Sequence, residues 1–423
     1  MKVSLVGLGK LGLPVAVCYA LAGHDVVGCD VNPHVVEQVN RGVLPAGIEG
    51  VGESFDEVCR SGRLRATTDT SEAVAGTDVT VLLVPIGVVD HRPDYRHMDA
   101  AVEAVAAGLQ PGHLVVFETT LAVGDTRERF APVLAGERFA IGEDLFVAFS
   151  PERVQSHRVL HDLRSYPKLV GGLDPESTKR AVSFYEQVLD ADIVALRDAE
   201  TAELTKLAEC VYRDVNIALA NEFARFAHSS GIEIDQVIEA ANSEPLSHLH
   251  DPGAGVGGHC IPVYPYFLLA GREDFPITAL ARRVNDSMPG WVVDRVRDRI
   301  GDLTDRRVLI LGLSYRANLR ETSGSVALAL IAALRAAGAQ ALCLDPNYSD
   351  DEISEFGADA LQSTDFDSVD AVILQAYHRE FAEFPWDKLR PGTLVLDGRN
   401  TLDAELVEGA GLEYLGVGRR GRR

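Results

Sequence analysis

Short apolar runs alternate with longer segments of helical periodicity along most of this chain. Lys2 to Val6, Val26 to Cys29, Asp78 to Val84, Leu114 to Phe117, Leu145 to Phe149 and Lys168 to Gly171 read as strands, each a nearly continuous apolar or β-branched run bounded by turn residues. Between them, stretches such as Met98 to Gly108 repeat apolar residues at helical spacing. Apolar strands joined by helices predict a parallel sheet covered on both faces. The pattern resets at Arg306, with strands Arg307 to Leu311, Ala341 to Leu344, Ala371 to Leu374 and Thr393 to Leu396, and a helix over Ser325 to Ala337.

Between the two alternating regions the period changes. From Thr201 to Ser230, Leu204, Leu207, Ala208, Val211, Val215, Leu219, Phe223 and Phe226 recur at helical spacing. That is about eight turns, ended by Gly231, and Ile232 to Ala241 follows as another helix. So long a helix suits a spine or a dimer contact. The expectation is an α/β fold of two Rossmann-like, doubly wound parallel-sheet domains joined by a helical central domain. The boundaries fall at 1–195, 196–298 and 299–423.

Composition narrows the function. A net charge of −23 and the lack of a basic run argue against nucleic acid and anionic membrane as partners. The one basic piece, Arg419-Arg420-Gly421-Arg422-Arg423, reads as a frayed end. Entry into a strand from the first residues predicts no secretory signal, and no apolar stretch is long enough to span a bilayer. The six cysteines are scattered without a CxxC pair, so neither a disulfide framework nor a metal site is expected. Free thiols in the cytoplasm are the consistent reading.

Candidate chemistry clusters at strand ends. Gly7-Leu8-Gly9-Lys10-Leu11-Gly12 follows the first strand and opens a helix, and Asp30 closes the next strand. In this context GxGxxG predicts a dinucleotide on the helix N-terminus, and an acid at Asp30 favours NAD over NADP through the ribose hydroxyls. Pro85-Ile86-Gly87, Glu118-Thr119-Thr120 and Ser150-Pro151-Glu152-Arg153 end later strands, where ligands of such sheets bind. Glu152 is a candidate to position water, and Thr120 to hold water or substrate hydroxyls. Pro252 to Pro262 packs four glycines and one cysteine, Cys260, into a loop. A thiol there is either a nucleophile or a small buried turn residue. Lys206 and Cys210 share a helix face, and Lys206 is either solvated or an oxyanion partner. The second alternating region lacks the third glycine after Gly312-Leu313-Ser314, so no second dinucleotide is expected. There Tyr315, Arg316, Arg320 and Arg399 are candidates to bind a nucleotide-diphosphate end.

Together these segments resemble the UDP-glucose/GDP-mannose dehydrogenase family along nearly the whole chain. The pieces are GLGKLGLP (7–14), ETTLAVGDTR (118–127), SPER (150–153), AELTKLAE (202–209), RDVNIALANE (213–222), GVGGHCIPV (255–263), GLSYRANLRETSGS (312–325) and DGRNTLD (397–403). The VGGHCIPV and VNIALANE forms resemble the branch that oxidises UDP-N-acetylhexosamines such as UDP-ManNAc and UDP-GlcNAc. The resemblance implies oxidation of C6 from alcohol to acid with two NAD⁺. It implies a thiohemiacetal and thioester on Cys260, water positioned by Glu152 and Thr120, and oxyanions steadied by Lys206. It assigns Leu11, Pro85 and Thr120 to the cofactor, and Arg153, Lys206, Asn216, Gly257 and Gly258 to the UDP-sugar. It implies a homodimer and no metal.

Two departures bear on the chemistry. Cys210 stands where the family has asparagine, and Tyr264 where it has aspartate. Both family residues organise water and protons around the thiol. Smaller departures are Pro85-Ile86-Gly87 in place of VPTP and Leu246 in place of an arginine. They leave two alternatives open: an atypical dehydrogenase that stops at the aldehyde, and a non-catalytic nucleotide-sugar binder.

Overall fold

The computed structural model of the chain describes residues 1–48, 50–154, 158–362 and 365–420. Two compact units emerge: Met1–Glu209 with Tyr266–Ala270, and Cys210–Pro265 with Gly271–Arg423.

The first unit is built on strands β1 (Lys2–Val6), β2 (Asp25–Cys29), β3 (Leu64–Thr67), β4 (Val79–Leu82), β5 (Gly87–Val89), β6 (Arg92–Asp94), β7 (His113–Phe117), β8 (Leu145–Phe149), β9 (Lys168–Gly172) and β10 (Ile193–Ala195). Eight of them form one sheet in the order β10-β9-β8-β7-β4-β1-β2-β3. Strand order reverses beside β1, which opens a crevice past the carboxyl ends of β1 and β4. Nearly every residue of β1, β4, β7 and β8 is buried, as apolar runs covered on both faces should be.

Two edge strands depart from the parallel expectation: β9 runs antiparallel to β8 through Ala148↔Gly172 and Phe149↔Gly171, and β10 runs parallel to β9. The link between β8 and β9 carries the seven-residue helix Val159–Ser165. The pair β5–β6 stands apart as a hairpin whose turn residues, Asp90 and His91, have φ of 49° and 61°, the pattern of a two-residue primed turn. The His91 ring stacks on Tyr266 at 4.6 Å.

The second unit carries β11 (Arg307–Leu311), β12 (Gln340–Leu344), β13 (Asp359–Ala360), β14 (Ala371–Leu374), β15 (Leu394–Asp397), β16 (Glu413–Gly416) and β17 (Arg419–Arg420). They form a sheet in the order β13-β12-β11-β14-β15-β16-β17, parallel except for the last pair. The expectation of a frayed tail fails at its first two residues. Arg419 pairs with Asp235, and Arg420 donates to His228 O and, through its backbone, to the Glu233 carboxylate at 3.1 Å. Acceptors distant in sequence hold the strand in place. Residues 421–423 of the tail lie outside the described residues.

The spine helix spans Ala199–Ser230, 32 residues. Its periodicity is as expected, but not all of its apolar face is covered. Tyr212, Leu219, Phe223 and Phe226 fall on one stripe and are exposed, Phe226 by 65%. Among the described residues no helix is long and apolar enough to cross a membrane. Among the described residues no two cysteines are joined by a disulfide.

Candidate active site

The turn after β1 is shaped for close backbone approach. Gly7 has φ 100°, and a Cβ there would lie 2.7 Å from Leu83 O. A Cβ on Gly12 would lie 1.8 Å from Gly7 O, so only glycine lets the helix Gly12–Leu21 start against the strand. Gly9 is exposed, and an added Cβ there would meet nothing within 4 Å, so its backbone faces open space. Leu11 gives the helix no side-chain cap; Leu13 N already donates to Gly9 O at 3.1 Å, so an anion there would take the N–H groups ahead of it. Asp30 accepts from Leu8 N at 2.9 Å and Asn32 N at 2.9 Å yet stays partly exposed. Pro85 is exposed at the end of the next strand over. These residues fit a dinucleotide: glycine backbone and helix N-terminus for the pyrophosphate, and Asp30 for a ribose.

Past the ends of β7 and β8 lies a dry charged cluster. Lys168, the first residue of β9, is buried; its Nζ reaches Glu118 Oε1 at 3.0 Å and Glu152 Oε2 at 3.2 Å. Glu118 Oε1 also accepts the hydroxyls of Tyr19 at 3.0 Å and Tyr185 at 2.5 Å. Glu152 Oε1 takes the backbone N–H groups of Arg153 at 2.6 Å and Val154 at 2.9 Å. Burial works to raise the pKa of Glu152, but the Lys168 charge and the two N–H groups outweigh it, and the net direction is down. At Glu118 burial prevails over Lys168 and the direction is up. Burial opposes the Lys168 charge, and the two carboxylates more than restore it.

Lys206 comes to this cluster from the spine helix and donates to Glu152 O at 2.7 Å. Arg153 is tied to Glu209 at 2.7 Å and to Pro167 O at 3.1 Å. Thr120 is buried two residues beyond Glu118. The first unit thus brings together Glu152, Arg153 and Lys206, and holds Thr120 as well.

The second unit holds Cys260, Gly257, Gly258, Tyr315, Arg316, Arg320, Arg399 and Asn216. The glycine loop's close approach is to the turn after β11. A Cβ on Gly257 would sit 3.0 Å from Gly324 O, and one on Gly258 (φ 97°) 3.0 Å from the Tyr315 ring. Further back the loop is pinned three ways. Gly253 N donates to Asn221 Oδ1 at 2.9 Å, Ala254 N to Gly398 O at 2.8 Å, and Arg399 Nη1 to Gly255 O at 3.2 Å. Asn221 in turn donates to Asn285 Oδ1 at 2.9 Å, and Asn285 to Asp214 Oδ1 at 2.8 Å. Arg399 also bonds Gln375, and burial draws its pKa down to about 10, still charged at neutral pH. It therefore holds the loop as well as being a phosphate candidate. Half-buried Cys260 follows, and its carbonyl accepts Tyr264 N at 2.9 Å.

Of the remaining candidates, Arg316 is exposed, Arg320 pairs with Glu352 and donates to Asn347 O at 2.9 Å, and Asn216 back-bonds to Tyr212 O at 2.7 Å. Sequence reasoning missed Lys168, Tyr19, Tyr185 and Asn221. The one available signal was a lysine opening the apolar run Lys168–Gly172 directly after Pro167. Among the described residues no group of three or more His, Cys, Asp or Glu side chains is placed to hold a metal.

Comparison with known proteins covers the whole chain. Models of the UDP-glucose/GDP-mannose dehydrogenase family match residues 1–189 (NAD binding domain), 200–287 (central domain) and 309–404 (UDP binding domain). A UDP-N-acetyl-D-mannosamine dehydrogenase of Pyrococcus horikoshii is 32% identical over 429 residues, covering 99% of each chain. An NDP-N-acetyl-D-galactosaminuronic acid dehydrogenase of Ralstonia nicotianae is 33% identical, with 96% of this chain and 97% of that one covered. The structure of a UDP-D-ManNAc dehydrogenase from Pyrococcus horikoshii superposes with a TM-score of 0.89 at 30% identity, covering 100% of both chains. That of a UDP-glucose dehydrogenase from Pyrobaculum islandicum gives 0.86 at 30% identity, covering 99% of this chain and 98% of that one.

Proposed function

The chain belongs to the UDP-glucose/GDP-mannose dehydrogenase family and is an NAD-dependent nucleotide-sugar dehydrogenase, and we propose that its substrate is a UDP-N-acetylhexosamine, UDP-ManNAc or UDP-GlcNAc, oxidised at C6 to the uronic acid. The observation that carries this choice is the whole-length likeness to the Pyrococcus UDP-N-acetyl-D-mannosamine dehydrogenase in a chain that keeps Cys260, Lys206 and Glu152. In this reading residues 1–195 hold NAD, 196–298 supply Lys206 and Cys260, and 299–423 hold the UDP end, with Tyr315, Arg316, Arg320 and Arg399 as its ligands. Asn216, Gly257 and Gly258 line the sugar.

Bound NAD⁺ supplies the hydride acceptor, once for each of two oxidations. The chain's own residues do the rest. Glu152 and its water take the C6 hydroxyl proton. The Cys260 thiolate adds to the aldehyde carbon as a thiohemiacetal, and after the second oxidation it carries the acyl group as a thioester. Lys206, with its ammonium anchored on Glu152 O, steadies the oxyanions. Water held by Thr120 and Glu152 attacks the thioester, Glu152 takes its proton, and the thiol leaves. The exposed stripe Tyr212, Leu219, Phe223 and Phe226 supports a homodimer through the spine helix. The absence of a membrane-crossing helix among the described residues is compatible with a cytoplasmic enzyme.

A second reading rests on Cys210 and Tyr264. Without the family's asparagine and aspartate, the chain releases the aldehyde after one oxidation. NADH formed per UDP-sugar consumed, with mass spectrometry of products across a panel of UDP-sugars, separates the two. Two NADH and a uronic acid support the first reading, and one NADH with an aldehyde the second. No NADH from any UDP-sugar sinks both.

A further inference from the structure

We propose that Lys168 is a positioning residue for Glu152: from the floor of the first unit it holds the Glu152 carboxylate ionised and aimed, and Glu118, locked by two tyrosines, fixes where Lys168 stands. This rests on the reading of Glu152 as the group that prepares water.

The geometry carries it. Three ionisable side chains meet out of water, each nine-tenths or more buried, with two carboxylates on one ammonium. A buried ion pair is seldom the most stable filling of a core, and this one leaves Glu118 Oε2 with no hydrogen-bond partner. A purely structural contact has no need of the second acid. The arrangement makes sense as a set of supports for one carboxylate. Both oxygens of Glu152 are claimed, Oε1 by two backbone N–H groups and Oε2 by Lys168, so its direction is fixed. Its own carbonyl takes Lys206, so the same residue that Lys168 grips from below receives the spine-helix lysine.

Glu118 acts on the other side of Lys168. Tyr19 comes from the helix Gly12–Leu21 and Tyr185 from the helix Pro175–Val188, and both hydroxyls end on Glu118 Oε1 beside the Lys168 contact. The ammonium also lies 5.0 Å from the Tyr185 ring centre. Among the described residues, the groups that interact with Glu152 include Lys168, Glu118, Cys18, Tyr19, Tyr185 and, at its carbonyl, Lys206; Asp162 and Tyr166 line the same small cavity, and Arg153 is turned to Glu209. Among the described residues only Lys168 offers the Glu152 carboxylate a cationic hydrogen-bond donor.

The test compares Lys168→Met, Lys168→Arg and Glu118→Gln in the full chain. Lys168→Met should move the acid limb of kcat upward by about 1–3 pH units, with the KM values for UDP-sugar and NAD⁺ unchanged. Lys168→Arg should restore the limb, and Glu118→Gln should move it down, because Lys168 then serves Glu152 alone. An infrared readout needs no turnover: at neutral pH Lys168→Met should gain a protonated-carboxyl band that the Lys168→Met/Glu152→Gln double variant lacks. If the wild type forms no NADH from any UDP-sugar, the reading of the site fails, and the band still decides the contact. An unmoved acid limb together with no new band overturns the proposal. If Lys168→Met does not fold, a Glu118→Gln limb identical to wild type overturns it instead.

Discussion

Replacing Gly258 by alanine should loosen the cysteine loop by an amount that the structure lets us apportion. At φ 97° the residue lies outside the regions open to L-residues, and holding alanine there costs about 1–3 kcal/mol. The new Cβ would also lie 3.0 Å and 3.2 Å from two carbons of the Tyr315 ring. The loop has little room to retreat, because Gly258 O would lie 2.7 Å from a Cβ on Gly324 across the same contact. Overpacking of this kind costs about 1–3 kcal/mol. The sum is roughly 2–6 kcal/mol. A chain of two compact units need not unfold in one step, so the assay is local: hydrogen exchange of peptides covering 253–260 and 313–326, with β7 and β8 as an internal reference. Exchange in the first two should quicken by more than tenfold while the reference stays fixed. Adding Tyr315→Ala should recover the packing part and leave the dihedral part. Unchanged exchange in Gly258→Ala would refute the claim that this glycine exists for the contact with Tyr315.

His113 supplies a pH dependence. It is 3% exposed, lies 2.7 Å from Thr80 Oγ1, and burial pushes its pKa down from 6.5 to about 4. A depressed histidine gives stability that is full above pH 6.5 and lost as pH falls toward 4, roughly 3 kcal/mol in all. The urea midpoint of the wild type should drop more steeply between pH 7 and 5 than that of His113→Gln, and parallel curves would sink the assignment. For the spine stripe, light scattering should give twice the 45.7 kDa chain mass, and Phe226→Glu should halve it; a wild-type monomer removes the dimer from the reading.

What could be read from the sequence was whatever local spacing determines. Gly7, Gly9, Gly12 and Asp30 act within one strand–turn–helix–strand unit, so their order alone places them, and the structure gives the spine helix within two residues of its expected start. Cys260 and Lys206 stood out because a thiol among glycines and a lysine on an apolar helix are locally unusual. Strand direction was not readable. The run Lys168–Gly172 says strand, while its antiparallel pairing with β8 is a property of neither run alone. Partnership across long separations was equally hidden. Nothing near Lys168 in sequence announces Glu118, Tyr19 or Tyr185, and Arg420 looked unattached because Glu233 is 187 residues away. The glycines of 257 and 258 suggested room for a ligand, whereas the structure presents Tyr315 and Gly324 in contact with them.

The acid at the end of β12 has a consequence for how electrons leave this enzyme. Asp345 occupies the position in the second sheet that Asp30 has in the first, but it is 2% exposed. Its oxygens are taken by Leu313 N, Ser314 N, Asn347 N and His378 Nε2. A carboxylate committed to its own turn has nothing left for a ribose, so the described residues offer one dinucleotide cradle per chain. If the reaction is the one proposed above, taking an alcohol to an acid removes four electrons, and one cradle accepts two at a time. Half-oxidised sugar must then outlast the exchange of spent cofactor for fresh, and a covalent bond to the chain is the surest way to keep an aldehyde from leaving in the interval.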